Sequence, residues 1–215
     1  MENSIKKHWE TVYETKNPEQ VSWTQEIPKT SLNFIHSFGL DKKAKIIDIG
    51  GGDSKLVDFL LEEGFENITV LDISEKAIKK AQFRLAENAK KVNWIVSDIT
   101  QFEPTTHYDI WHDRAAIHFL TTEVDINKYV KTVEKCVSQY LIVGTFSENG
   151  PQKCSGLEIK QYSQVALTKL FQNNFQVIEC FTEDHTTPFD TKQNFIYCSL
   201  KRMNWKQLSF PIQSK

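Results

Sequence analysis

A glycine-rich turn between a short apolar run and an amphipathic segment sets the strongest limit on the fold of this chain. Residues 44–49 are mostly apolar, as expected of a strand buried in a parallel sheet. Gly50, Gly51 and Gly52 end this run, and residues 54–63 then carry apolar residues at helical spacing. A strand–glycine–helix unit predicts an open α/β sheet, in which ligands bind at the carboxyl ends of the strands.

The alternation of strand and helix continues to residue 145 and ends in two further strands. Predicted strands cover residues 44–49, 68–73, 92–96, 108–112, 140–145, 176–182 and 194–201, and later helices cover 74–88, 125–137 and 163–171. Residues 150–162 and 183–193 are predicted as loops. The predicted fold class is α/β, with a doubly wound, mostly parallel seven-stranded sheet and a terminal antiparallel hairpin.

The segment before the first strand predicts an N-terminal helical cap. Apolar residues at helical spacing predict helices over residues 3–15 and 29–38. No stretch has the composition of a linker, so a single domain is expected. Its predicted parts within residues 1–215 are a helical lid at 1–40, a Rossmann-like core at 41–202 and a tail at 203–215.

Composition argues against several functions. The 215 residues contain 26 Lys and Arg and 28 Asp and Glu, a net charge of −2, so no overall positive field favours nucleic acid. No apolar run approaches the ~20 residues that span a bilayer, and the start has no signal-peptide core. The four cysteines form no C-x-x-C pair, so neither a disulfide nor a metal site is expected, and the expected location is cytoplasmic.

Acidic residues lie at the ends of the first three predicted strands. Asp48 precedes the glycine turn, and Asp72 ends the second strand about 20 residues after Gly50, where an acid binds ribose hydroxyls. Asp98 follows the third strand, where it would accept a hydrogen bond from an adenine amino group while Ile99 packs on the ring. Each acid alone also fits a strand-end turn or a helix N-terminus, but three together favour a nucleotide site.

Features that the glycine turn lacks indicate which adenosine-containing ligand the site suits. The dinucleotide pattern G-x-G-x-x-G requires a third glycine where this chain has Lys55, and no Walker loop is present. A pyrophosphate would also lie beside Asp48 and Asp53, and like charges repel. A ligand with a cationic methionine part, a ribose and an adenine suits these acids better. S-adenosylmethionine is such a ligand, so it is preferred to NAD.

On these residues, segment 43–202 resembles the class I S-adenosylmethionine-dependent methyltransferases, with D-I-G-G-G at 48–52 similar to the family's first motif. Residues 8–23 resemble the N-terminal lid of small bacterial members. The resemblance implies a methyltransferase that uses S-adenosylmethionine and releases S-adenosylhomocysteine. The implied cofactor-binding residues are Trp23, Asp48, Gly50, Gly51, Gly52, Asp72, Ile73, Asp98 and Ile99.

Trp9, Tyr13 and Trp23 are expected to form a lid that covers the cofactor and excludes water. Aromatic rings also attract a sulfonium or ammonium group through cation–π contact. In the alternative interpretation, these side chains only anchor the N-terminal helix to the rest of the protein.

The candidate catalytic residues are His112, Asp113 and His118. They lie at the end of the fourth predicted strand and in the segment directly after it. A histidine can take a proton near neutral pH. Asp113-Arg114 is similar to the Asp followed by Arg or Lys of thiopurine-type and some protein-lysine methyltransferases. In the alternative interpretation, His118 packs on the following helix, and Asp113 and Arg114 form a structural ion pair.

The methyl acceptor is expected to be a small molecule, because the loops are short and no basic patch for nucleic acid is visible. A protein-lysine methyltransferase is the first alternative, suggested by Asp113-Arg114. A non-catalytic cofactor-binding partner protein is the second, and an NAD-dependent oxidoreductase the third. The acceptor atom and the oligomeric state stay open.

Overall fold

The computed structural model describes residues 4–203, and a seven-stranded sheet forms its centre. The order across the sheet is β3-β2-β1-β4-β5-β9-β8. The first five strands in this order are parallel, β9 runs antiparallel to β5, and β8 runs antiparallel to β9. This arrangement confirms the predicted fold class. The strands are β1 (Lys45–Ile49), β2 (Asn67–Asp72), β3 (Val92–Val96), β4 (Tyr108–Arg114), β5 (Val137–Phe146), β8 (Phe175–Thr186) and β9 (Lys192–Arg202), and a separate hairpin contains β6 (Lys153–Cys154) and β7 (Leu157–Glu158).

Within residues 4–203, six α-helices accompany the sheet. They are α1 (Ser4–Thr15), α2 (Lys29–Ser37), α3 (Leu56–Glu62), α4 (Glu75–Leu85), α5 (Glu123–Cys136) and α6 (Gln164–Lys169). The hydroxyls of Ser74, Thr122 and Ser163 cap α4, α5 and α6, each accepting a hydrogen bond from a backbone N–H of the first turn. None of these helices is long and apolar enough to span a membrane. The predicted tail lies, from residue 204 onward, outside the described residues.

Apolar side chains are buried on both faces of the sheet. One face packs against α5 and α6 through a cluster that includes Tyr129 and Leu167. The other packs against α2 and α3 through a cluster that includes Leu32, Ile35 and Leu56. Because both faces are covered, four of the five residues of β1 are buried, which explains its continuous apolar sequence.

The two segments that the sequence predicts as loops both contain residues in β-strands. The sequence predicts a polar connection over residues 183–193, but β8 extends to Thr186 and β9 begins at Lys192. Because β8 is an edge strand with mostly exposed side chains on both faces, it lacks the apolar alternation by which strands are predicted. The predicted loop over residues 150–162 contains the two-residue strands β6 and β7.

The expectation that no disulfide forms is wrong for one pair of cysteines. Cys180 of β8 and Cys198 of β9 are directly paired in the hairpin register, with their Cα atoms 4.2 Å apart, and they form a disulfide. The register of the two strands brings these residues together, and sequence spacing alone does not reveal that register. Cys136 and Cys154 are free and buried.

A buried chain of hydrogen bonds links β4 to α5. The Trp111 indole N–H donates to the Tyr129 hydroxyl over 2.9 Å, and this hydroxyl donates to Asp113 Oδ2 over 2.7 Å. Asp113 Oδ1 accepts from the backbone N–H groups of Ala116 and Ile117. Burial raises the pKa of Asp113 to about 6 despite these hydrogen bonds. These hydrogen bonds therefore satisfy the Asp113 carboxyl group, which is fully removed from water.

We expect Tyr129→Phe to lower the free energy of unfolding by about 2–4 kcal/mol, because it leaves the Trp111 N–H and an Asp113 oxygen buried without partners. Tyr162→Phe is the matched control, since the Tyr162 hydroxyl is buried without a partner among residues 4–203. The control should change stability by less than about 0.5 kcal/mol. Urea unfolding measures the change in unfolding free energy of both variants, provided that the m-value stays constant. An equal loss of stability in the two variants would contradict a stabilising role for the Tyr129 hydroxyl.

Candidate active site

A cavity of about 1060 Å³ lies at the carboxyl ends of the parallel strands. Its walls come from the ends of β1, β2, β3 and β4, from α1, and from the segment between α1 and α2. Most of the predicted site residues line it: Trp23, Asp48, Gly50, Gly51, Asp72, Ile73, Asp98, Ile99 and His112. Gly52, Asp113 and His118 lie outside the lining.

The Asp48 carboxylate is buried at the floor of the cavity, with 3% of the residue exposed. Its Oδ1 atom lies 2.7 Å from His112 Nδ1, whereas Oδ2 is buried with no hydrogen-bond partner among residues 4–203. A side chain at Gly51 would collide with this carboxylate, and Gly50 has a positive φ of 65°. The glycine turn thus keeps space beside an unsatisfied anionic oxygen.

His112 is held between two elements. Its Nδ1 contacts Asp48, and its Nε2 lies 2.8 Å from the hydroxyl of Ser31 on α2. Because a carboxylate only accepts hydrogen bonds, Nδ1 carries the proton in the neutral ring, and Nε2 accepts the Ser31 hydrogen. Ser31 also lines the cavity. Sequence analysis missed Ser31, whose one signal is a small polar residue on the buried face of an amphipathic helix.

Asp72 is placed at the end of β2 with a strongly perturbed carboxyl group. Burial raises its pKa to about 7, although backbone hydrogen bonds from Ser74 and Gly52 oppose this rise. The Ser74 N–H donates to Asp72 Oδ1 over 2.8 Å. A Cβ on Gly52 would lie 2.5 Å from Asp72 Oδ2 and 2.8 Å from the Ala77 side chain, so the backbone here approaches the carboxylate closely. This geometry explains the third glycine of the turn.

Asp98, Ile99 and Ile73 lie together along the β2–β3 side of the cavity. Asp98 Oδ1 accepts hydrogen bonds from the backbone N–H and the hydroxyl of Thr100, both over 2.8 Å. These contacts fix the carboxylate at the start of the loop after β3. Two apolar side chains and an oriented acid therefore form one wall.

Aromatic side chains from α1 and the following segment cover the cavity. The Trp9 ring lies 5.7 Å from that of Trp23 and 5.0 Å from that of Phe119, and Tyr13 lies 6.3 Å from Trp23. Trp9, Tyr13 and Trp23 all line the cavity. The rings belong to a small apolar cluster against which Ile73 packs, and Trp23 and Phe119 also join it to the core on the α2 and α3 side of the sheet.

A carboxylate on α1 holds this cover in place, and sequence analysis assigned it no role. The Glu10 side chain accepts hydrogen bonds from the backbone N–H groups of Glu75 and Lys76 and from the Ser74 hydroxyl, over 2.8–3.1 Å. Glu10 thus caps the N-terminus of α4, where an anion is favoured. No local pattern could have shown this, because the partners lie more than sixty residues away.

The positions of Asp113 and His118 do not support their predicted catalytic roles. The Asp113 carboxylate accepts hydrogen bonds from Tyr129 and from the backbone in the core, on the opposite face of β4 from His112. The His118 ring stacks on Phe146 at 4.6 Å, and burial lowers its pKa to about 3. Of the three predicted catalytic residues, His112 is the one that lines the cavity.

The alternative of an Asp113–Arg114 ion pair is also wrong. Arg114 donates instead to the Tyr197 hydroxyl and to the backbone carbonyl oxygen of Trp23, each over 2.9 Å. Consecutive residues of a strand point to opposite faces, so Arg114 shares the cavity face with His112.

Residues 46–139 match the family model described as a methyltransferase domain. With the fold and the strand-end site described above, this match identifies a methyltransferase domain, and solved structures of S-adenosylmethionine-dependent methyltransferases share its fold. S-adenosylmethionine is the cofactor of that class.

Similar proteins include both protein-modifying and small-molecule enzymes. The Bos taurus eEF1A lysine and N-terminal methyltransferase is 22% identical over 133 residues, which cover 61% of this chain and 19% of that protein. The match thus spans about a fifth of that relative. The N-methyltransferase NodS from Bradyrhizobium japonicum, with S-adenosylhomocysteine, shares the fold at a TM-score of 0.70, 14% identity, and coverage of 91% of this chain and 98% of that chain. The Burkholderia thailandensis 1,6-didemethyltoxoflavin-N1-methyltransferase, with bound 1,6-didemethyltoxoflavin and S-adenosylhomocysteine, also shares the fold. Its TM-score is 0.69 at 12% identity, and the match covers 93% of this chain and 88% of that chain.

Binding of S-adenosylhomocysteine should tighten about tenfold between about pH 6 and about pH 8 if Asp72 accepts the ribose hydroxyl hydrogens. The pKa of Asp72 is raised to about 7, and only its ionised form accepts both hydrogens, so affinity is lost as pH falls through 7. Calorimetric titration across this range measures the effect. Asp72→Asn should weaken binding roughly 10–100-fold and remove this slope, whereas Asp98→Asn should retain the slope. An unchanged slope in Asp72→Asn would contradict the assignment.

Glu10→Ala should weaken S-adenosylhomocysteine binding by roughly threefold to tenfold, because α1 loses its attachment to the first turn of α4. Hydrogen exchange of residues 4–15 should rise in the same variant. Thr11→Ala is the control on the same helix, since the exposed Thr11 hydroxyl donates to the Lys7 carbonyl oxygen of α1 and lies outside the cavity lining. If the two variants behave alike, the Glu10 cap does not hold the cover.

Proposed function

We propose that this chain transfers the methyl group of S-adenosylmethionine to a small-molecule acceptor bound in the cavity. The single observation that carries the proposal is Asp48 Oδ2, a buried carboxylate oxygen without a partner beside the glycine turn. A buried unsatisfied anion is costly, and the methionine ammonium group of the cofactor would satisfy it.

The residues around the cavity fit the remaining parts of this cofactor. Asp72 would accept hydrogen bonds from the ribose hydroxyls, and Asp98 would accept one from the adenine amino group. Ile73 and Ile99 would pack on the adenine ring, as both line the same wall. When bound, the cofactor supplies a methyl group already activated by its sulfonium charge.

The chain's own contribution is to align the acceptor, exclude water and receive a proton. The cover of Trp9, Tyr13 and Trp23 would shield the cavity. An acceptor that carries a proton would donate a hydrogen bond to Ser31 Oγ, and the Ser31 hydroxyl would pass its own proton to His112 Nε2. Asp48 would stabilise the imidazolium formed, through its contact with Nδ1.

A protein-lysine acceptor is the second candidate, favoured by the likeness to the bovine lysine methyltransferase. Two features of the site weigh against it. The Asp113-Arg114 pair that suggested it is divided between opposite faces of β4. The acceptor side also holds the Arg114 guanidinium, and a lysine side chain brings no negative charge to pair with it.

The test is transfer of a labelled methyl group from S-adenosylmethionine into a cell extract separated into protein and small-molecule fractions. Label in the small-molecule fraction, suppressed by excess S-adenosylhomocysteine, is the expected result. Label in protein alone would favour the lysine candidate. Binding of S-adenosylhomocysteine without any transfer would favour a non-catalytic binding protein, and binding of NAD alone would overturn the cofactor assignment.

A further inference from the structure

The Arg114 guanidinium is held rigidly on the acceptor side of the cavity. Its Nε donates to the Tyr197 hydroxyl and its Nη1 to the Trp23 carbonyl oxygen, each over 2.9 Å. The guanidinium carbon lies 4.8 Å from the centre of the Phe195 ring, within cation–π range. Three separate contacts therefore fix the direction of the group before any ligand binds.

The contact with Tyr197 directs this side chain towards β9 and away from the strand-end carboxylates. Arg114 of β4 pairs with Gly144 of β5, which pairs with Tyr197 of β9. A Cβ on Gly144 would lie 2.5 Å from the Tyr197 ring, so the glycine lets that ring lie across β5. Arg114 thus reaches towards β9, whereas Asp48, Asp72 and Asp98 lie at the ends of β1, β2 and β3.

Arg114 forms no salt bridge with any acidic side chain of the described residues 4–203. Its Nη2 atom is buried and makes no hydrogen bond within residues 4–203. Burial keeps three titratable side chains close to Arg114 neutral: it lowers the pKa of His118 to about 3, lowers that of His185, and raises that of Cys154 to about 12.

Arg84 also lines the cavity, but unlike Arg114 it has carboxylate partners. It is paired with both Asp53 and Asp58, so its charge is balanced within the protein. A partly buried guanidinium with a free N–H group and no carboxylate is costly unless a ligand supplies the anion.

We propose that Arg114 binds a carboxylate of the methyl acceptor, so that the substrates of this enzyme are carboxylic acids with an apolar or aromatic body. This inference rests on the proposed methyltransferase function and names its substrate class. One guanidinium nitrogen is available, which suits the single charge of a carboxylate better than a phosphate dianion. Phe146 and Phe195 line the cavity beside it and would contact the apolar body.

The test compares acids with their neutral amides on protein saturated with S-adenosylhomocysteine. Calorimetry is used with benzoate and benzamide, phenylacetate and phenylacetamide, and indole-3-acetate and indole-3-acetamide. At least one acid should bind about tenfold or more tightly than its amide. Arg114→Gln should abolish this preference and weaken S-adenosylhomocysteine binding by no more than about tenfold, since Arg114 also supports the Trp23 backbone of the cover.

The control is Arg202→Gln, because Arg202 also lies over a phenylalanine ring and donates to backbone carbonyl groups but lies outside the cavity lining. It should retain the preference for acids. Tyr197→Phe keeps the Arg114 charge and removes one of its supports, so it should reduce the preference without abolishing it. Thermal unfolding verifies that each variant is folded.

Three outcomes would overturn the inference. If no acid binds more tightly than its amide, or if Arg114→Gln retains the preference, Arg114 does not bind a carboxylate of the acceptor. If Arg114→Gln weakens S-adenosylhomocysteine more than about tenfold, the residue binds the cofactor carboxylate instead. Failure of the wild-type protein to bind S-adenosylhomocysteine is a separate result and overturns the proposed function itself.

Discussion

Burial of the Asp48 carboxylate against the His112 imidazole is the contact on which the strand-end site depends. The parallel register of β1 and β4 places these residues side by side, and α2 supplies Ser31 to the free ring nitrogen. Only one carboxylate oxygen is satisfied by this arrangement. Because the adjacent turn consists of glycines, no side chain of the turn can fill the space beside the other oxygen. The fold therefore holds an anion out of water and leaves part of its hydrogen-bonding capacity for a ligand.

Charged side chains of both signs line the cavity. Carboxylates lie at the ends of β1, β2 and β3, Arg84 is paired with Asp53 and Asp58, and Arg114 extends towards β9. Asp48 also raises the pKa of Asp72, since like charges oppose each other's ionisation in a buried site. With the proposed cofactor against these carboxylates, Arg114 would be left to attract an anionic acceptor, so one cavity would orient two different molecules.

The alternation of strands and helices, the glycine turn and the acids at the strand ends were accessible from sequence, because each depends on local pattern or on the geometry of parallel sheets. The contacts of Glu10 and the Cys180–Cys198 pairing were not, because each depends on how distant segments meet. The case of Asp113 is different. Adjacent strand residues point to opposite faces, so His112 and Asp113 could not both face one cavity, and period-two reasoning alone would have separated them.

This alternation also determines which acceptor chemistry the strand end suits. His112 and Arg114 face the cavity, while Asp113 is buried behind them and shared with Tyr129. The strand end thus presents His112 as a proton acceptor and Arg114 as a cation, and the carboxylate of Asp125, which also lines the cavity, is already paired with Lys128. A lysine would leave Arg114 unpaired in a cavity that loses water on closing, whereas a carboxylic acid would supply the missing negative charge.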